Sequence, residues 1–159
     1  MRTWQDKIDN FIRLSNKYGV RMLMVGGGAV NFHGYQRHSA DVDFWIDMHP
    51  ENLDKLLSVF EKMDYELEDF PEAVKQKQQN ISVKFSPLDL DLELITNFSV
   101  NKDFEEAFKD SEVVSGKDDP DLRWNILSFN DLIISKIKAG RPKDLLDIQE
   151  LQKRNGSTR

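Results

Sequence analysis

Residues 24–45 read MVGGGAVNFHGYQRHSADVDFW and are the most informative part of the chain. A glycine cluster at residues 26–28 follows a short apolar run, and Asp41 and Asp43 open a second apolar run. Because side chains at positions i and i+2 of a strand point to the same face, the two aspartates are expected side by side, about 7 Å apart. Like charges repel each other there, and a divalent cation would stabilise them. With a glycine turn close by, the stretch predicts metal-dependent handling of a phosphate.

Length and composition favour a single cytoplasmic domain. The chain has 159 residues, no cysteine and a net charge of −6. The lack of cysteine excludes disulfides, thiolate zinc sites and cysteine nucleophiles, and an acidic protein is seldom a general nucleic-acid binder. The sequence contains no apolar run of about 18 residues, so no membrane association is expected. We expect one domain over residues 1–153 and a flexible tail over 154–159.

Helical and strand patterns mix along the whole chain, which favours an α+β (mixed α/β) fold. The glycines are expected to turn a strand into a brief helix, Ser128 to cap a helix with Asp131 as the capping acid, and Gly140 to end that helix. Residues 115–121 are expected to form a loop, and residues 64–79 are ambiguous, with a short strand and then a helix after Pro71 as one solution. The expected helices span residues 3–18, 29–33, 50–63, 104–109, 128–139 and 142–153, and the expected strands span 21–25, 41–47, 81–85, 88–96 and 122–127.

A second acidic strand follows at residues 87–96, PLDLDLELIT. Asp89, Asp91 and Glu93 share one face of it, and leucines occupy the other. If this strand neighbours the strand at 41–47, acids from both converge. Three carboxylates that hold two metal ions about 3.5–4 Å apart are a standard arrangement for phosphoryl transfer, and Mg²⁺ favours such ligands. The pattern leaves open which of the three acids takes part.

Glycines and cations could hold a phosphate. The N–H groups of Gly26, Gly27 and Gly28 could bind it, although a tight strand–helix turn explains the same glycines. Arg37 lies just before Asp41, and a basic cluster surrounds the junction near residue 140. Cations also favour helix C-termini through the helix dipole, so both interpretations of the cluster stand. The cluster comprises Lys136, Lys138, Arg141 and Lys143.

Three motifs together resemble the nucleotidyltransferase superfamily. Val25-Gly26-Gly27, a spacer and then Asp41-Val42-Asp43-Phe44 is similar to its signature. The fuller string from Gly26 to Asp43 resembles stand-alone bacterial and archaeal nucleotidyltransferase-like proteins related to abortive-infection (AbiE-type) toxins, with Ser39 where those usually have Thr. Residues 92–96 resemble the family segment that holds a third carboxylate, usually Asp. The segment from Lys136 to Asp147 resembles the closing Lys-x-x-x-x-Arg-x-Lys-Asp-x-x-Asp signature.

The resemblance implies a polymerase β-like palm fold with a small mixed sheet and helices packed against it. Two Mg²⁺ ions and a nucleoside triphosphate are the implied cofactor and substrate. Asp41, Asp43 and Glu93 would act as catalytic metal ligands, with Asp91 as the alternative third ligand. The triphosphate would be bound by Gly26, Gly27, Arg37, Ser39, Lys136 and Arg141.

The resemblance implies transfer of a nucleoside monophosphate to an acceptor hydroxyl. The acceptor could be RNA, a protein or a small molecule, and the protein could act as the toxin of a toxin–antitoxin pair with an antitoxin partner. The alternative is a catalytically inactive module that keeps the fold and binds nucleotide or another protein.

Overall fold

Six strands form one mixed sheet in the computed structural model, which describes residues 4–33, 42–84, 91–116 and 119–156. The strand order across the sheet is β3-β4-β2-β1-β6-β5. Strand β2 pairs antiparallel with β1 and parallel with β4, so the centre of the sheet is mixed. The strands are β1 (Met22–Val25), β2 (Val42–Ile46), β3 (Ile81–Lys84), β4 (Asp91–Ile95), β5 (Glu112–Gly116) and β6 (Asp119–Ile126).

Helices connect these strands and cover both faces of the sheet, as expected for an α+β protein. None of the helices within the described ranges is long and apolar enough to cross a membrane. The helices are α1 (Trp4–Tyr18), α2 (Gly26–Phe32), α3 (Pro50–Lys62), α4 (Glu72–Lys75), α5 (Phe104–Lys109), α6 (Phe129–Ala139) and α7 (Pro142–Gly156).

Alternation along β2 divides its side chains between the two faces. Phe44 points to the face covered by α1 and α3: its ring centroid lies 6.4 Å from that of Phe11, which is 6.1 Å from Phe60. Trp45 points to the opposite face, where its ring centroid lies 5.2 Å from that of Phe104. Asp43 shares the Trp45 face because the side-chain period of a strand is two residues. Apolar packing on both faces therefore fixes the direction in which Asp43 points.

The structure confirms the two predicted ends of α6. The Ser128 side chain accepts a hydrogen bond from the backbone N–H of Asp131 at 3.1 Å, and Gly140 ends the helix with φ = 62°. The Asp131 carboxylate has a different role from the one expected. It pairs with Lys102 at 3.1 Å, which ties the segment before α5 to α6.

The larger differences from the expected elements lie in four regions of the chain. Helix α2 begins at Gly26, so the glycines lie inside the helix and do not form a separate turn. Residues 112–116 form β5, an edge strand, and β6 already begins at Asp119. Helix α7 continues to Gly156, past the expected boundary at residue 153. In the ambiguous segment the helix after Pro71 is present as α4, and no strand precedes it within residues 64–71.

Polar contacts join α2 to the last strand and the last helix. His33 follows α2, is buried, and places its Nε2 2.9 Å from the carbonyl oxygen of Leu127. The Asn155 amide donates to the carbonyl oxygen of His33 at 2.6 Å. The backbone N–H of Leu127 donates to the carbonyl oxygen of Met24, next to the start of α2. These contacts hold α2 near the C-terminal ends of β1 and β6.

Candidate active site

Two carboxylate-bearing residues lie side by side near the N-terminal ends of β2 and β4, two interior strands of the sheet. The register of the parallel β2–β4 pair places Asp43 directly opposite Glu93. Residues paired in this way lie on the same face, with their Cα atoms about 4.8 Å apart across the strands. The two acidic strands are therefore neighbours, which is the condition under which their acids were expected to converge. We call Asp43 and Glu93 the carboxylate pair.

Gly26 adjoins the carboxylate pair, and its lack of a side chain is required there. Val25 pairs with Asp43 in the antiparallel β1–β2 register, so Gly26 begins α2 beside that carboxylate. A Cβ atom at Gly26 would collide with Oδ2 of Asp43 and would lie 3.3 Å from its Cγ. Gly26 also has φ = 63°, in the left-handed region that disfavours other residues. The glycine of the predicted motif thus makes room for the aspartate of the same motif.

Glu93 has a hydrogen-bond partner on its other side. The Ser82 hydroxyl of β3 donates to Oε2 of Glu93 at 2.5 Å. The antiparallel β3–β4 register places these two residues directly opposite each other. Glu93 therefore lies between Asp43 on one neighbouring strand and Ser82 on the other. The Ser82 hydrogen bond uses Oε2 of Glu93 and does not involve Oε1.

The donor chemistry of the carboxylate pair fits Mg²⁺. Like charges directly opposite each other destabilise a sheet, and a hard cation that takes carboxylate oxygens offsets their repulsion. Within the four described ranges, no group of three or more His, Asp or Glu side chains is arranged to hold a metal ion. Asp41, which would complete the predicted set, lies outside those ranges.

Four other predicted residues either lie outside the described residues or occupy a neighbouring position. Arg37, Ser39 and Asp89 are outside them. Asp91 begins β4, two residues before Glu93, and its backbone lies opposite that of Lys84 in the β3–β4 register. Their predicted roles stay predictions.

Lys136 and Arg141 lie in an ion network between α6 and α7. The Lys136 ammonium is buried, 3.2 Å from Oδ1 of Asp144 and 3.0 Å from Oδ2 of Asp147. The Arg141 Nε lies 2.5 Å from Oδ2 of Asp144. Burial alone would raise the pKa of Asp144, but hydrogen bonds from Arg141 and Lys136 hold that pKa below its usual value. We call these four residues the α6–α7 ion network.

The network bears on the predicted phosphate contacts. The Lys136 side chain is 7% exposed. A phosphate could bind its ammonium group only beside the Asp144 and Asp147 carboxylates or by displacing them. The Arg141 side chain is 57% exposed and offers its outward edge to solvent. Of the two predicted phosphate-binding cations within the described residues, Arg141 is therefore the accessible one.

Sequence reasoning missed Ser82, and it found Asp144 and Asp147 only as members of the closing motif, without their pairing to Lys136. Ser82 could have been found by treating residues 81–96 as a hairpin about Pro87, because that register pairs Ser82 with Glu93. Asp144 and Asp147 stand three residues apart, one turn before the buried Leu151, and this spacing marks the buried face of α7. Their carboxylates are therefore directed at α6, where Lys136 lies.

Two surface cavities open at the opposite end of β2. They measure about 430 and 510 Å³ and share Asp47 and His49 in their walls. Asp47 follows the end of β2, about 13 Å along the chain direction from Asp43. Its Oδ1 lies 2.6 Å from Nδ1 of His49, and this contact raises the pKa of His49. The cavities are therefore separate from the carboxylate pair.

Fold and site together define a nucleotidyltransferase-like protein: a mixed sheet with helices on it, a glycine that begins a helix, and carboxylates on adjoining strands. Comparison with known families agrees, since residues 6–155 match the model of a family described as nucleotidyltransferase of unknown function (DUF6036). The chain belongs to that family. No curated protein matches it.

Proposed function

We propose that the protein is an Mg²⁺-dependent nucleotidyltransferase that moves a nucleoside monophosphate from a triphosphate to an acceptor hydroxyl. The observation that carries the proposal is the carboxylate pair, Asp43 opposite Glu93, beside the glycine that begins α2. In the reaction the acceptor oxygen bonds to the α-phosphorus, the bond to the bridging oxygen breaks, and pyrophosphate leaves with that electron pair. The hydroxyl proton passes to solvent.

Asp41, Asp43 and Glu93 would hold two Mg²⁺ ions, with Asp91 as the alternative third ligand. Bound Mg²⁺ supplies Lewis-acid stabilisation of the phosphate charge. Gly26 and Gly27 would admit the triphosphate next to the pair, and Arg37, Ser39, Lys136 and Arg141 would bind its phosphates. Arg141 supports this assignment best, because its guanidinium is exposed.

Transfer of a labelled nucleotide tests the proposal. The purified protein is incubated with each α-labelled triphosphate, Mg²⁺ and a cell extract as the source of RNA, protein and small-molecule acceptors. We expect a labelled product from the wild type and none from Asp43→Asn. The matched control is Asp54→Asn, an exposed aspartate on α3, which covers the other face of the sheet. Equal labelling by wild type and Asp43→Asn would sink the proposal.

A catalytically inactive nucleotide-binding or interaction module is the second candidate. The burial of Lys136 between two carboxylates favours it, because a cation already neutralised is less available to a phosphate. Thermal shift distinguishes the two, since a ligand of the native state raises its stability. A nucleotide-induced shift without any labelled product identifies the module.

The biological setting that we propose is the toxin of a toxin–antitoxin pair, which rests on the motif resemblance. Induced expression of the wild type is expected to arrest growth, and induced Asp43→Asn is not. Growth that is unaffected by the wild type would remove the toxin role and leave the enzyme proposal untouched.

A further inference from the structure

Ser82 is the only residue for which the structure gives a hydrogen bond to Glu93 among the described side chains. Glutamate reaches one methylene further than aspartate and has one more rotatable bond. Asp43 stands directly opposite on β2, and its charge repels the Glu93 carboxylate. Without a hydrogen-bond partner, the Glu93 side chain would therefore extend toward solvent and occupy several rotamers.

The Ser82 hydroxyl opposes that spread. It holds Oε2 of Glu93 at 2.5 Å, from a strand whose register with β4 is fixed by four residue pairs. The bond uses one carboxylate oxygen and leaves Oε1 for another ligand. Residues that orient a metal-binding carboxylate in this way contribute substantially to the affinity of the site.

We propose that Ser82 is a positioning residue that orients Glu93 for a divalent cation. This inference rests on the proposed function, since it assigns Ser82 a role toward the metal that the carboxylate pair would hold. Ser82 touches neither substrate nor metal in this role and acts through Glu93 alone.

The test measures binding of Mn²⁺ alone, as a spectroscopic substitute for Mg²⁺, by electron paramagnetic resonance of the purified full chain. We expect Ser82→Ala to weaken Mn²⁺ affinity about tenfold. Ser82→Thr, which keeps the hydroxyl, should stay close to wild type. Ser115→Ala is the matched control, because Ser115 is an exposed serine on β5, the opposite edge strand.

Two further measurements separate positioning from a structural role. Thermal unfolding without metal should be nearly the same for wild type and Ser82→Ala, whereas a structural serine would lower the midpoint. In a Glu93→Gln background, Ser82→Ala should have no additional effect on Mn²⁺ affinity, since the two changes act through one contact.

The possible failures are distinguishable. If the wild type binds Mn²⁺ and Glu93→Gln weakens binding, but Ser82→Ala does not, the positioning role is wrong and the proposed metal site survives. Tighter Mn²⁺ binding by Ser82→Ala would likewise overturn the role. If the wild type binds no Mn²⁺, the positioning role and the metal site of the proposed function fail together.

Discussion

Gly26 and Asp43 form one steric unit although they are separated in the sequence. The Asp43 carboxylate occupies the space that a Cβ atom at position 26 would need. The backbone of Gly26 is also left-handed, which costs an L-residue roughly 1–2 kcal/mol. Two independent constraints therefore require glycine at this position.

We predict that Gly26→Ala destabilises the fold by at least about 1–2 kcal/mol and displaces Asp43. A displacement of about 1 Å in a reacting constellation can cost roughly 100-fold in rate, so labelled transfer should fall by that order. Urea unfolding and the transfer assay measure the two effects.

Gly28→Ala is the control for that variant. A Cβ at Gly28 would lie 2.7 Å from Sδ and 3.2 Å from Cγ of Met24, a buried but unbranched side chain that has to shift. Alanine favours a helix interior by about 0.5–1 kcal/mol over glycine, which offsets part of that cost, so the loss of stability should be smaller than for Gly26→Ala. Equal loss in both variants would contradict the steric account of Gly26.

The α6–α7 ion network joins the last two helices through buried charges. Asp144 is fully buried and Asp147 nearly so. Lys136, on α6, contacts both carboxylates. Removing one partner of a buried ion pair leaves the other charge uncompensated, which is far more costly than losing a surface pair. The network therefore contributes to the packing of α7 on α6, together with apolar contacts such as those of the buried Leu151.

We predict that Asp144→Asn lowers the free energy of unfolding by about 3 kcal/mol. Glu150→Gln is the control, because Glu150 pairs with Arg154 at 3.8 Å on the surface of α7 and should change stability little. Because the folded pKa of Asp144 is lowered, its stabilisation is present above its ordinary pKa of 3.8 and is lost as the pH falls through the folded value. Urea unfolding at neutral and acidic pH measures both effects, and equal losses in the two variants would contradict the buried network.

The elements were predictable to different degrees, for physical reasons. Helix α3 and the ends of α6 follow from local signals: apolar periodicity, Pro50, Ser128 and Gly140. Strand β5 gave no such signal. It is a short edge strand with Val113 exposed, and it depends on pairing with β6.

The candidate site was predictable in chemistry and only partly in geometry. Alternation of acids and apolar residues marked Asp43 and Glu93, but the adjacency of β2 and β4 depends on sheet topology. The burial of Lys136 was not predictable from its charge, since a helix-terminal lysine is normally solvated. Its partners Asp144 and Asp147 come from the next helix, after the Gly140 cap.

The two ends of the central strands are chemically distinct. The carboxylate pair lies at one end, and the other end combines Arg21, Asp47, His49 and Glu105. Arg21 lies 3.4 Å from Asp47 and 2.5 Å from Glu105, with its guanidinium over the Phe108 ring at 4.8 Å. Charges at this second end of the strands thus stabilise the junction of β1, α3 and α5. They are separate from the proposed chemistry.

We predict that His49 makes stability depend on pH near neutrality. The hydrogen bond to Asp47 raises its folded pKa above the ordinary 6.5, so its contribution is fully present below pH 6.5 and is lost as the pH rises through the folded value. Urea unfolding midpoints from pH 5.5 to 8.5 should therefore fall more for the wild type than for His49→Gln. Transfer activity should be unaffected by that variant, and parallel pH curves would contradict the assignment.

The contact between Gly26 and Asp43 also constrains how related genes can diverge. While position 43 carries aspartate, a lineage cannot accept a side chain at position 26, so loss of the carboxylate must come first. Once a small residue occupies position 43, asparagine at position 26 becomes tolerable, because it adopts left-handed backbone more readily than most residues. Reversion then has a required order, because glycine must return at position 26 before aspartate can return at position 43. A homologue without glycine at position 26 is therefore expected to lack aspartate at position 43, and under the proposed function to lack the chemistry.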